Sequence, residues 1–271
     1  MTTKSERFKV IVTVLTLTHK VAKTQLDEWN KRFGGKLYSP MLYEFIDDKS
    51  FNLIFFTQNR LKVPQIGYSL LVSLNIATIG HFWSFPSLHH ANFEIFDQEK
   101  KESSTFQPNS GVQALYAKQP KVDLTFDLVK KAHIIWCALI KLDEQFFKYY
   151  IAGMTLMTSP TAIYDFHEEV FFDFYKVIER FIAVEIYKNK KTPTVEEILN
   201  HMRQLGINDS EFLEEAKKIY ILRGGTVMHS VGKEKQITID DALKCKCFAD
   251  LFLNKELFRR MEEKAKHRNN I

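Results

Sequence analysis

The sequence predicts an α+β protein, with a β-rich domain over residues 1–120 and an all-helical domain over residues 121–271. Three observations predict it. Six of the seven prolines lie at or before Pro160, and the β-branched and aromatic runs crowd the part of the chain before Val122. From Val122 onwards the apolar residues recur with the 3.6-residue period of helices instead. Hydrophobic residues at 45% and charged residues at 26% are globular values. At 31.8 kDa, a folded surface of roughly 12,000 Å² replaces roughly 46,000 Å² in the extended chain, so the core needs neither metal nor disulfides.

The elements follow in order. Short apolar runs bounded by Asp-Asp, Gly and Pro signals read as strands and turns: Phe8–Leu17, Leu37–Ile46, Phe51–Thr57, Tyr68–Ile79 and Ala91–Phe96. The polar stretch from Gln98 to Pro120, with Ser103, Ser104, Pro108 and Gly111, reads as a loop or linker. A first helix is expected from about Leu124 to Tyr150 and a second from about Ala162 to Lys188. Thr194 and Glu197, after Pro193, have capping-box spacing and start a third. Asn208 and Asp209 start a fourth, and a last helix begins near Thr238–Asp241 and enters the charged tail.

Composition narrows the function classes. A net charge of +5 with a pI near 8.9 permits contact with polyanions without demanding it. Lys188, Lys190 and Lys191 form the densest basic cluster, which reads as solvated surface. The odd count of three cysteines, Cys137, Cys245 and Cys247, gives neither a disulfide framework nor a zinc site and points to a reducing, cytoplasmic location. The apolar run near the N-terminus is too short to span a membrane, and no membrane partner is expected. No phosphate-loop glycines or nucleophile elbow occur. No cofactor or metal is expected: His89 and His90, near His81, would point to opposite sides of a strand, and His167-Glu168-Glu169 is not a metal-binding arrangement.

The helical half carries the candidate chemistry. In the second helix Val170, Phe174, Val177, Phe181 and Val184 form an apolar stripe widened by Phe171, Tyr175, Ile178 and Ile182. Such a helix lies inside a bundle or at a subunit interface. Glu169, Asp173, Lys176 and Arg180 form its polar strip, and Glu179 lies off it among Phe172, Tyr175, Ile182 and Ile186. A carboxylate there either reaches water at the flank or pairs with a cation. The fourth helix supplies one, because Phe212, Ala216, Ile219 and Arg223 share a line, with Tyr220 beside it. Gly224 and Gly225 follow, ending or thinning the helix, and His229 and Ser230 come next.

Phe171-Phe172-Asp173-Phe174-Tyr175-Lys176-Val177-Ile178-Glu179-Arg180 resembles the aromatic-rich helix ending in Ile-Glu of the Apea-like HEPN domains. Tyr220-Ile221-Leu222-Arg223 with His229 resembles their Tyr-x-x-Arg…His segment, and the order of helices also matches. The resemblance covers roughly residues 122–265 and leaves the N-terminal part unread. It implies an all-α bundle that forms a homodimer, and a metal-independent endoribonuclease. His229 would act as acid or base near neutral pH, and Arg223 would clamp the phosphate. Attack by the 2′-hydroxyl would leave a 2′,3′-cyclic phosphate. Glu179, Tyr220 and Ser230 would support the pair. Gly224 departs from the pattern, since nuclease members often carry a polar residue after the arginine. The alternative is a non-catalytic HEPN-like module for dimerisation or for binding a nucleotide or partner.

Overall fold

A computed structural model describes residues 7–16, 19–34, 42–80, 83–84, 93–106, 122–140, 142, 144–157, 166–226 and 237–269. The chain is α+β, with an antiparallel sheet in the N-terminal part and helices throughout the C-terminal part. It divides into two compact units, residues 1–140 with 158–160, and residues 141–157 with 161–271.

In the first unit, β1 (Phe8–Thr16) is the central strand. It pairs antiparallel with β4 (Ser50–Thr57) on one side and with β5 (Trp83–Ser84) and β6 (Phe93–Asp97) on the other. The edges are β3 (Leu42–Asp47), beside β4, and β7 (Glu102–Phe106), beside β6. Alternation along the strands sends Val10, Val12, Val14, Phe51, Leu53 and Phe55 into the core. A two-residue parallel pair joins β2 (His19–Lys20) to β8 (Val122–Asp123).

Among the described residues three α-helices complete this unit. The helix α1 (Lys23–Phe33) lies against β3, where the Asn30 side-chain amide donates to the Tyr43 carbonyl at 2.6 Å and accepts from the Tyr43 N–H at 2.9 Å. The helix α2 (Val63–Thr78) occupies the segment where a strand over Tyr68–Ile79 is expected. Pro64 opens it, and it is buried on nearly every side, so no polar stripe reveals its period. Ser69, Ser73 and Thr78 return their hydroxyls to carbonyls three or four residues back. Asn75 reaches out of it to both backbone groups of Trp83.

The expected helix over 124–150 is two helices, α3 (Phe126–Leu139) and α4 (Glu144–Met157), and they belong to different units. The helix α3 packs on α1 and α2: Trp136 Nε1 donates to Ser69 Oγ at 2.8 Å, and Gln25 accepts from the Phe126 N–H at 2.7 Å. The first unit therefore extends to residue 140, past the expected division at 120.

The second unit is helical. The helix α5 (His167–Phe181) packs between α4 and α8 (Ile239–Asn269). A π turn over Ile182–Ile186 continues it, and Lys188 and Asn189 then take left-handed backbone angles. The helix α6 (Val195–Gln204) begins with the expected capping box of Thr194 and Glu197. Asp209 accepts from the Phe212 N–H at the start of α7 (Ser210–Thr226). Thr238 and Asp241 exchange hydrogen bonds at the start of α8.

Candidate functional site

The apolar stripe of α5 is buried as its periodicity predicts as far as Phe181, whereas Val184, expected on the same stripe, lies in the π turn beyond and is half-buried. Val170, Phe174, Val177 and Phe181 are at most 1% exposed, and Tyr175 and Ile178 are buried beside them. On the polar strip, burial raises the Asp173 carboxyl above its ordinary pKa against the pull of Lys176. Glu179 is half-buried, one turn beyond Tyr175 on the same line of α5. From α7, Tyr220 is 3% exposed and meets Tyr175 edge-on, with ring centroids 4.8 Å apart.

Arg223 lies in the last turn of α7, one turn beyond Tyr220. The glycine pair does not end this helix, which runs on to Thr226 and is only thinned by Gly224 and Gly225. The Arg223 side chain, His229 and Ser230 lie outside the described residues, as do His81, His89 and His90. The structure thus brings together the helices that carry Glu179 and Tyr220 through the Tyr175–Tyr220 contact.

A buried polar line on α8 is not apparent from the sequence. Lys246 and Asp250 are 1% and 0% exposed, and Lys246 Nζ donates to Asp250 Oδ2 at 2.6 Å. Tyr150 of α4, fully buried, donates its hydroxyl to Asp250 Oδ1 at 2.5 Å. Burial and the adjacent Asp250 carboxylate push the Tyr150 phenol well above its ordinary pKa. Asn254 stands one turn further on, so the signal was a four-residue spacing of polar side chains among Cys245, Phe248, Ala249, Phe252 and Leu253.

A second group lies further along α8, six residues beyond Asp250. Glu256 is 0% exposed and accepts from Arg259 and Arg260, each at 2.7 Å, with His201 of α6 at 3.3 Å. Burial alone would raise its pKa; the three hydrogen bonds outweigh that and hold it at about 2. Arg260 also donates to Glu185 at 2.7 Å, and Glu185 stands within the π turn. The widened turn thereby places a carboxylate on the far side of Arg260.

The three cysteines are free thiols, and burial raises the pKa of Cys245 and Cys247, which makes them poor nucleophiles. An open groove of about 330 Å³ runs between α7 and α8, lined by Phe212, Ala216, Ile219 and Phe248, with Glu215 and Lys244 joined at its rim. Among the described residues no three His, Cys, Asp or Glu side chains form a group able to hold a metal ion. Among them, too, no helix is long and apolar enough to cross a membrane. Compared with models of known families, with curated proteins and with solved structures, the chain matches none.

Proposed function

We propose that the helical unit is a HEPN-like, metal-independent endoribonuclease, with its site at the C-terminal end of α7. The observation that carries the reading is the Tyr175–Tyr220 contact. Glu179 and Arg223 each stand one helical turn beyond it, on α5 and α7. A carboxylate at 179 is suited to orient or neutralise the guanidinium. In this reading Arg223 binds the scissile phosphate and stabilises charge on its oxygens, while His229 moves the proton. The 2′-oxygen attacks phosphorus, the bond to the 5′-oxygen breaks, and the departing oxygen takes a proton. The products are a 2′,3′-cyclic phosphate and a 5′-hydroxyl. Two copies pairing through the helical unit would bring two such sites together, and the three free thiols suit a reducing, cytoplasmic setting.

The test is cleavage of an end-labelled single-stranded RNA in excess EDTA. The chain should cleave it, leaving cyclic phosphate ends, and a 2′-deoxy substitution at the scissile nucleotide should block the cut. Arg223→Ala and His229→Ala should each lower the rate by at least a hundredfold with an unchanged far-ultraviolet spectrum. Undiminished cleavage by either variant sinks the mechanism. No cleavage by the unaltered chain, with both variants losing stability, turns the reading to a non-catalytic binding module.

A further inference from the structure

The face of the sheet turned away from the buried side chains is unusual for an antiparallel sheet, whose outer face is commonly polar. Ile11, Ile54 and Leu42 form one cross-strand row on it, none of the three buried, and exposed Glu94 of β6 continues that row beside Ile11. In the neighbouring row Lys9 of β1 stands between Phe56 of β4 and Phe96 of β6, its register partners on either side. Directly opposed residues have Cβ atoms about 5 Å apart, so two phenylalanines flank the Lys9 position on the sheet. Phe96 is 38% exposed and Phe56 is half-buried.

Charge distinguishes that end of the sheet. The turn after β4 carries Arg60 and Lys62, and the β6–β7 turn carries Lys100 and Lys101, all exposed. Both turns adjoin the Phe56–Lys9–Phe96 row, because Phe8 pairs with Thr57 and with Asp97. Of the carboxylates nearby, Asp97 and Glu99 are held by Arg7 at 2.7 and 3.1 Å, and Glu102 is exposed on β7. Glu94 stands in the adjacent Ile11 row and Glu44 in the row after that, so positive charge gathers at the Lys9 end of the face. The chain's whole excess of five positive charges lies within residues 1–140, the remainder being balanced.

We propose that this face is a platform for single-stranded RNA, with bases stacked on Phe56 and Phe96 and phosphates held by Lys9 and the two basic turns. A protein partner would be served by the apolar rows alone; a lysine between two phenylalanines and a basic rim suit a polyanion with flat faces. The choice of RNA over DNA rests on the cleavage reading, whereas the platform itself rests on the sheet.

The experiment is fluorescence anisotropy of the full chain with a fluorescein-labelled, 2′-O-methylated twelve-uridine strand, which cannot be cut by 2′-hydroxyl attack. The unaltered chain should bind it with an affinity that falls as salt rises. Phe56→Leu with Phe96→Leu should weaken binding about tenfold or more, Lys9→Glu should do likewise, and Phe56→Tyr with Phe96→Tyr should restore it. A thermal melt of each variant separates lost binding from lost folding. No binding by the unaltered chain at 50 mM salt, equal affinity of the double leucine variant, or equal binding of an RNA duplex each overturns the platform. Binding without cleavage in EDTA leaves the platform standing and removes the nuclease reading; cleavage without platform binding does the reverse.

Discussion

Asp250 is a carboxylate with no exposed surface, held between Lys246 one turn before it and the Tyr150 hydroxyl from another helix. Two opposite charges removed from water stabilise each other only while both are present. Lys246→Met or Asp250→Leu alone should therefore cost about 3–5 kcal/mol, measured by urea unfolding, because each leaves an uncompensated buried charge. The double substitution should recover most of that loss. Additive losses would show that the two side chains stabilise the unit independently. Tyr220 and Glu179 were legible because aromatic and apolar neighbours at helical spacing single them out. The pair at 246 and 250 was not, since the same four-residue spacing is also that of an exposed i,i+4 ion pair. Only the packing of α4 and α5 against α8 tells the two cases apart.

At the scale of elements, legibility followed how local the determining interactions are. The capping boxes at Thr194 and Thr238 and the Asp209 cap are set within four residues, and all three helices begin where those signals stand. Thr194→Ala should cost about 1 kcal/mol of unfolding free energy, and Thr194→Ser should restore most of it. An unchanged unfolding midpoint for the alanine variant would show that α6 is held by its packing alone. The helix α2 was misread as a strand because an all-round apolar sequence rich in serine and β-branched residues carries no period. The break between α3 and α4 was hidden for a related reason. Apolar residues continue through 139 and 140 and resume at 142, so the helical pattern shows no gap. The π turn has no local signature either, and its place is marked by the pairing of Glu185 with Arg260.

The molecule consists of two units whose buried titratable groups differ. In the first, His133 packs against Trp29 and Trp136, and among the described residues neither its Nδ1 nor Trp29 Nε1 finds a hydrogen-bond partner. Burial lowers the His133 pKa from 6.5 to about 4. The unfolded chain then binds the extra proton, so stability falls as pH drops from about 6.5 towards 4, by roughly 1.4 kcal/mol per pH unit. In the second unit Glu256 is lowered from 4.5 to about 2, so its contribution is complete above 4.5 and is lost only below that. Thermal melts at pH 7 and pH 5 should show the first unit weakened well before the second, as two transitions that separate on acidification. His133→Phe should bring them back together. Transitions that shift equally in the unaltered chain and in the variant would remove His133 as the cause.

Asn30 has a consequence of another kind. Its amide occupies the outward N–H and C=O of Tyr43 on an edge strand, where a neighbouring strand would otherwise bind. A side chain that imitates a strand for one residue closes that edge to recruitment by other chains. Shortening it would expose a short template for intermolecular pairing, so damage at this position would show as turbidity that grows with protein concentration. The margin that Asn30 protects is colloidal as well as conformational.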